Sequence, residues 1–232
     1  AAPPLEYLRY LVSRCASSQL GAHKTKLMVQ DVKKAYFYAP ATRDVYVELP
    51  PERAQPGMCA KLHKSLYGTR DAALNWAQAY SDVLVGMGFV KGLSSPCTFF
   101  HKAWDIRTVV HGDDFTCSGA RPQLQWLETQ LRSKYELTVG ARLGPGVNDD
   151  HEGLVLNRVV RWTSAGLEYE ADPRQAEMIR DTELQGANSV TTPGVKPLAH
   201  QLEQEQPLSM SDFTRFRGQA ARANYLGPDR PD

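Results

Sequence analysis

The 232-residue chain has few cysteines, no long apolar run and almost no net charge. Its four cysteines, Cys15, Cys59, Cys97 and Cys117, are far apart and form no CxxC pair. That spacing speaks against a disulfide framework and for reduced thiols in a cytoplasmic or nuclear setting. No stretch approaches the ~18 apolar residues of a membrane span, so no membrane partner is expected. No charged-then-apolar leader opens the chain, which reads as not secreted. An initiator Met is also missing, as in a piece cut from a longer polypeptide. With 27 Lys and Arg against 26 Asp and Glu the net charge is +1, and no overall basic field announces nucleic acid.

The composition that remains is that of a folded protein. A hydrophobic content of 42% with 23% charged residues excludes wholesale disorder and collagen-like repeats. The length suits one large domain or two small subdomains with a real core. The near-zero charge hides a division: residues 1–70 hold 11 Lys and Arg against 5 Asp and Glu, the rest 16 against 21. Solvated helix faces account for such a bias by default.

Two spacings imitate half zinc sites, Cys59-x3-His63 and Cys97-x3-His101. Both fall in segments that read as strands, where residues four apart stand about 13 Å apart. Neither pair can then close on one ion through bonds of ~2.0–2.3 Å.

The apolar spacing predicts helices over 3–19, 71–87, from Pro122 with Tyr135 on its stripe, from Asp172-Pro173 to about Leu184, and from Ser211 to Gly227. Strands are expected at Leu27–Val29 ending at Asp31, Val45–Val47, Met58–Leu62, Thr98–His101, Ile106–Val110 and Phe115–Cys117. Gly140 to Gly153 reads as a loop, Leu154–Trp162 and Leu167–Tyr169 as a strand pair, and 185–208 as loop. Interleaved helices and hairpins define an α+β fold with a mostly antiparallel sheet and packed helices.

The sharpest local feature is His111-Gly112-Asp113-Asp114 at a hairpin tip. Asp and Gly favour turns on their own account. Asp31, at the exit of an apolar strand, adds a third carboxylate. Three carboxylates converging from strand ends repel one another unless a cation neutralises them, and Mg²⁺ suits such an oxygen cluster.

At these residues the chain resembles reverse transcriptases of the copia type. Asp31-Val32-Lys33-Lys34-Ala35-Tyr36-Phe37 is similar to their first catalytic motif, Leu66-Tyr67-Gly68-Thr69-Arg70 through Trp76 to their template-binding motif, and His111-Gly112-Asp113-Asp114 stands where they carry Tyr-x-Asp-Asp. Val45–Pro50, Ser95-Pro96-Cys97, Ser189–Pro193 and the tail from Tyr225 to Asp232 add further matches in the right order.

The resemblance implies a reverse-transcriptase palm with partial fingers over 1–184, and a linker and helix leading toward the thumb and ribonuclease H region over 185–232. It implies an RNA-directed DNA polymerase that transfers nucleotides to a primer 3′-hydroxyl with two Mg²⁺ ions, Mn²⁺ being a substitute. Asp31 and Asp113 would be the principal metal ligands, with the Val32 carbonyl assisting and Asp114 secondary. Lys33, Tyr36 and Gly68 would meet the nucleotide, Tyr36 as a gate under its sugar. Tyr67, Arg70 and His111 would lie along template and primer. Tyr36 and Tyr67 also read as ordinary packed aromatics, and Trp76 and Trp126 as core.

The implied partners are an RNA or DNA template with primer, deoxynucleoside triphosphates, and integrase and ribonuclease H segments of the same polyprotein. The implied location is a cytoplasmic virus-like particle or the nucleus. His111-Gly112, Ala73 and Asn75 depart from the family pattern, and the basic fingers segment before the first motif is expected to be missing. A catalytically inactive nucleic-acid-binding remnant is therefore the alternative reading.

Overall fold

The computed structural model describes residues 3–18, 24–188 and 206–229. The chain divides into two compact units, Ala1–Tyr169 and Glu170–Asp232. The Ser189–Pro193 match and the end of the tail match, from 230 on, lie outside the described residues.

The first unit opens with α1 (Leu5–Ser18), whose Leu8, Leu11, Val12 and Cys15 are buried at three- and four-residue spacing. Strand β1 (Lys26–Val32) follows, then a 3₁₀ turn over Ala35–Tyr38. A small hairpin pairs β2 (Tyr46–Glu48) with β3 (Cys59–Lys61). Helix α2 (Ala72–Gly86) precedes β4 (Val90–Lys91), β5 (Thr98–His101), β6 (Ile106–His111) and β7 (Asp114–Gly119). Helix α3 (Arg121–Arg132) leads to β8 (Leu137–Leu143), β9 (Glu152–Val155), β10 (Arg158–Thr163) and β11 (Gly166–Ala171).

A six-stranded sheet in the order β4-β5-β6-β7-β1-β8 forms the centre, each neighbouring pair antiparallel. Strand β1 therefore lies between β7 and β8, buried on both faces, which explains its apolar run. On one face Met28, Val32, Ile106, Val110 and Phe115 pack with Trp76, Tyr80 and Leu84 of α2 and Leu124, Leu127 and Leu131 of α3. On the other, Leu27, Val29, Val109 and Leu143 meet α1 together with Val155 and Val160. Each of these fully buried aliphatic side chains contributes about 1.5–3 kcal/mol, so both faces hold β1 in place and fix its register.

Three sequence expectations need correction. Residues 140–143 belong to β8 rather than to a loop. Gly140 is there because β8 runs close to β1: a Cβ at this position would stand 3.2 Å from the Val29 carbonyl oxygen. The expected strand Leu154–Trp162 is two strands, broken by a turn in which Leu156 and Asn157 both have positive φ, 50° and 60°. Asn accepts that conformation readily and Leu does not, so Leu156 concealed the turn. The third helix stops at Arg132, and Tyr135 reaches the core from beyond its end.

A polar cluster closes the β8 end of the sheet. The buried Asp149 carboxylate accepts from Lys26 Nζ and from the Gly146 N–H. Burial opposes its ionisation, but Lys26, the Gly146 N–H and Arg121 outweigh that and hold it below the usual carboxylate range.

The second unit consists of α4 (Pro173–Ile179), capped by the Asp172 carboxylate on the Arg174 N–H, a π-helical turn over Arg180–Leu184, and α5 (Met210–Leu226), capped by Ser209 on the Asp212 N–H. The π turn ends the expected helix at Leu184. Among the described residues no helix is long and apolar enough to cross a membrane.

Candidate active site

The site forms where β1 ends beside the β6–β7 hairpin. The hairpin loop is two residues, Gly112 and Asp113, because His111 pairs with Asp114. Gly112 has φ +65°, a conformation that glycine adopts without penalty and that starts a tight hairpin. On its other edge β7 pairs with β1 so that Asp114 stands opposite Asp31. The ladder continues one step past that pair: the Val32 N–H donates to the Asp113 carbonyl at 3.0 Å. Three carboxylates are thus carried to one end of the sheet by central strands whose register the core fixes.

Their electrostatics record the crowding. Burial pushes the Asp31 carboxyl above its ordinary value, and the Asp113 charge pushes it further, against the pull of Lys33. Asp114 is raised by burial, by Asp113 and by Asp31, with His111 pulling the other way. Both groups would be more readily ionised if a cation stood among them.

Beyond Val32 the chain reverses. Lys34 adopts φ 54° and turns the backbone into the 3₁₀ turn that carries Tyr36. The Tyr36 ring stacks on Tyr67 with centroids 4.2 Å apart, and Phe37 meets Tyr67 edge-on. Burial raises the Tyr67 phenol against backbone hydrogen bonds from Tyr36 and Ala35, and the charge of Asp113 raises it further. The aromatic pair and the hairpin tip therefore share one neighbourhood. Beside them lies a cleft of about 270 Å³ lined by Tyr36, Ala73, Trp76, Ala77, Tyr80, His111 and Gly112.

Lys33 is half-exposed and bonded to Glu136 through Nζ at 2.7 Å, while its backbone N–H donates to the Glu136 carbonyl. That side-chain hydrogen bond lifts Lys33 and lowers Glu136 from their ordinary values. Gly68 is exposed with φ +87°, and nothing lies within 4 Å of where a Cβ would be, so its backbone is open to approach. Arg70 is exposed on the same connection. Asn75, a departure from the family motif, is buried; it donates to Ser65 Oγ at 3.1 Å and accepts from Thr42 Oγ1 at 3.0 Å, tying α2 to the segments around β2 and β3. His111 is half-buried, and its Nδ1 is a buried atom with no hydrogen-bond partner.

Sequence reasoning placed Trp76 in the core, where it is 1% exposed, but missed its polar end. Its Nε1–H donates to the Gly112 carbonyl at 2.7 Å, at the tip of the carboxylate hairpin. A partner 36 residues distant leaves no local signal. Trp126 packs against the same core, as read from the sequence, and its ring also meets Trp104 and His101. His101 is thus engaged by rings; of the two zinc-like spacings, Cys59 opens β3 with His63 beyond its end, and His101 ends β5 with Cys97 just before its start.

The reverse transcriptase (RNA-dependent DNA polymerase) family profile matches residues 5–196. The chain belongs to that family. Among its relatives, the Retrovirus-related Pol polyprotein from transposon RE1 of Arabidopsis thaliana is 26% identical over 211 residues, 87% of this chain and 13% of that protein. The corresponding RE2 polyprotein is 24% identical over 210 residues, 87% of this chain and 14% of that protein. The Transposon Ty1-DR1 Gag-Pol polyprotein of Saccharomyces cerevisiae is 33% identical over 122 residues, 51% of this chain and 7% of that protein. The chain thus corresponds to a small fraction of each of these polyproteins, and the copia-type retrotransposon resemblance read from the motifs holds. The reverse transcriptase match takes in Asp31, the Tyr67–Arg70 segment and the Asp113-Asp114 hairpin.

Among the described residues no three His, Cys, Asp or Glu side chains are already gathered around one ion position. The donor chemistry still fits magnesium, which is usually bound by one or two carboxylates together with substrate phosphates rather than by a full protein cage. Asp31 and Asp113, each within electrostatic reach of the other, supply such a pair.

Proposed function

We propose that this domain is the palm, with part of the fingers, of an RNA-directed DNA polymerase that extends a primer on an RNA or DNA template. The observation that carries the reading is the register of β1 against the hairpin, which sets Asp31 opposite Asp114 and bonds Val32 to Asp113. In the reaction the primer 3′-hydroxyl oxygen bonds to the α-phosphorus of a deoxynucleoside triphosphate and the α–β phosphoanhydride breaks, releasing pyrophosphate.

Two Mg²⁺ ions, or Mn²⁺ in their place, would acidify the primer hydroxyl and offset the charge on the triphosphate and departing pyrophosphate. Asp31 and Asp113, with the Val32 carbonyl, would hold them, and Asp114 would add negative charge beside them. Tyr36, braced by the Tyr67 ring, lies under the sugar and leaves no room for a 2′-hydroxyl. The Gly68 backbone comes close to the nucleotide, and Arg70 meets a template phosphate. Lys33 neutralises triphosphate charge by exchanging Glu136 for a phosphate oxygen. His111 lies along the primer end. Partners within the polyprotein are integrase and ribonuclease H segments.

The test is extension of a labelled primer on an RNA template, with the domain in its polyprotein context. Extension is expected in Mg²⁺, is lost on chelation and returns with Mn²⁺. Retention of primer and template without any extension would favour the inactive remnant instead.

A further inference from the structure

The β6–β7 loop has a choice that its sequence alone does not settle. Two-residue hairpin loops come in two common forms: both central residues have positive φ in type I′, only the first in type II′. The two forms differ by rotation of the peptide that joins the central residues. Here Gly112 has φ +65° and Asp113 is not among the residues with positive φ, so the loop is of the second form. The carbonyl of the joining peptide belongs to Gly112, and it is the group that receives the Trp76 indole hydrogen bond at 2.7 Å.

That donor is rigidly held. Trp76 is 1% exposed, and its ring meets Tyr80 and Tyr135 edge-on at 5.4 and 5.2 Å between centroids. The indole cannot follow the loop if the peptide rotates, so rotation would leave a buried N–H without its acceptor. On the far side of Asp113 the carbonyl is held by the Val32 N–H at 3.0 Å. Asp113 is therefore gripped through both adjoining peptides, one by the core of α2 and one by the end of β1. It is also the residue whose charge bears on Asp31 and on Asp114.

We infer that Trp76 is a positioning residue for nucleotide transfer, its indole N–H fixing the Gly112–Asp113 peptide so that the Asp113 carboxylate stays beside Asp31. The inference rests on the metal-site reading above. It separates the two duties of this side chain: the rings fill the core, and the N–H sets the loop.

The experiment measures Mn²⁺ affinity by electron paramagnetic resonance of the free ion, with melting curves of each variant. Four proteins are compared: wild type, Asp113→Asn, Trp76→Phe, and a protein in which Trp76 is replaced by its benzothienyl isostere, which keeps both rings and has sulfur in place of N–H. Wild-type binding that Asp113→Asn weakens is the expected baseline. Both Trp76 replacements should then weaken binding about tenfold, the isostere without loss of melting temperature. If Trp76→Phe melts early, the isostere decides alone. Isostere affinity equal to wild type would overturn the positioning role while leaving the metal site intact. Wild-type Mn²⁺ binding indifferent to Asp113→Asn would overturn the metal site, and the inference with it.

Discussion

Replacing Asp113 with alanine is expected to abolish primer extension, a loss on the order of 10³-fold or more, because the reaction forfeits several kcal/mol of charge stabilisation at the transferring phosphorus. The carboxylate stands at the tip of a two-residue loop whose backbone is bonded on both sides, to Val32 and to Trp76. Alanine at the second loop position is compatible with this turn, so the hairpin should survive and the loss should appear in the rate rather than in the fold. Single-nucleotide addition by the variant in Mg²⁺, beside a melting curve, separates the two. Extension at the wild-type rate would reject the metal assignment.

Tyr36→Ala should act on selectivity. The Tyr36 ring is half-buried and backed by Tyr67 at 4.2 Å, so it cannot swing away from a larger sugar without breaking the stack. Removing it opens space for a hydroxyl, and sites that discriminate such a group by shape alone do so by about 10²-fold. Competition between a ribonucleotide and the matching deoxynucleotide should shift by up to that factor toward the ribonucleotide. Selectivity unchanged from wild type would remove the gate and return Tyr36 to plain packing.

Much of this site was legible because it is written in short segments. The apolar run before Asp31, the Gly-Asp turn and the aromatic five residues after Asp31 each follow from local rules, and their order along the chain carried the family resemblance. The inner strands β1, β5, β6 and β7 of the central sheet were legible for the same reason, being bounded by turn residues or prolines, whereas β4 and β8, at its two edges, were not. The failures have physical causes. Gly140 looked like a loop residue because its role, letting β8 run against the Val29 carbonyl, exists only once the strands pair. Leu156 in a left-handed turn contradicts its own preference, and Lys34 does the same at the bend after β1. The Trp76 bond to Gly112 and the Lys33 bond to Glu136 join residues far apart in sequence, so no spacing could announce them.

The charge division also gains a structural setting. Of the basic residues in the first 70, Lys33 is paired with Glu136, Arg43 with Asp71 and Lys61 with Asp44. Under the proposed function, a nucleic acid would have to compete with these carboxylates, and fewer newly neutralised phosphates would mean less counterion release and a shallower salt dependence.

Under the proposed function, Asp31 and Asp113 hold the catalytic cations together. Iron-directed cleavage tests this pairing without reference to activity: Fe²⁺ replaces Mg²⁺, and ascorbate with peroxide then generates hydroxyl radicals that cut the backbone beside the bound ion. Cuts confined to the segments around Asp31 and around Gly112-Asp113-Asp114, suppressed by excess Mg²⁺ and lost in Asp113→Asn, are the predicted result. Cuts elsewhere, or cuts at these segments that persist unchanged in Asp113→Asn, would contradict it.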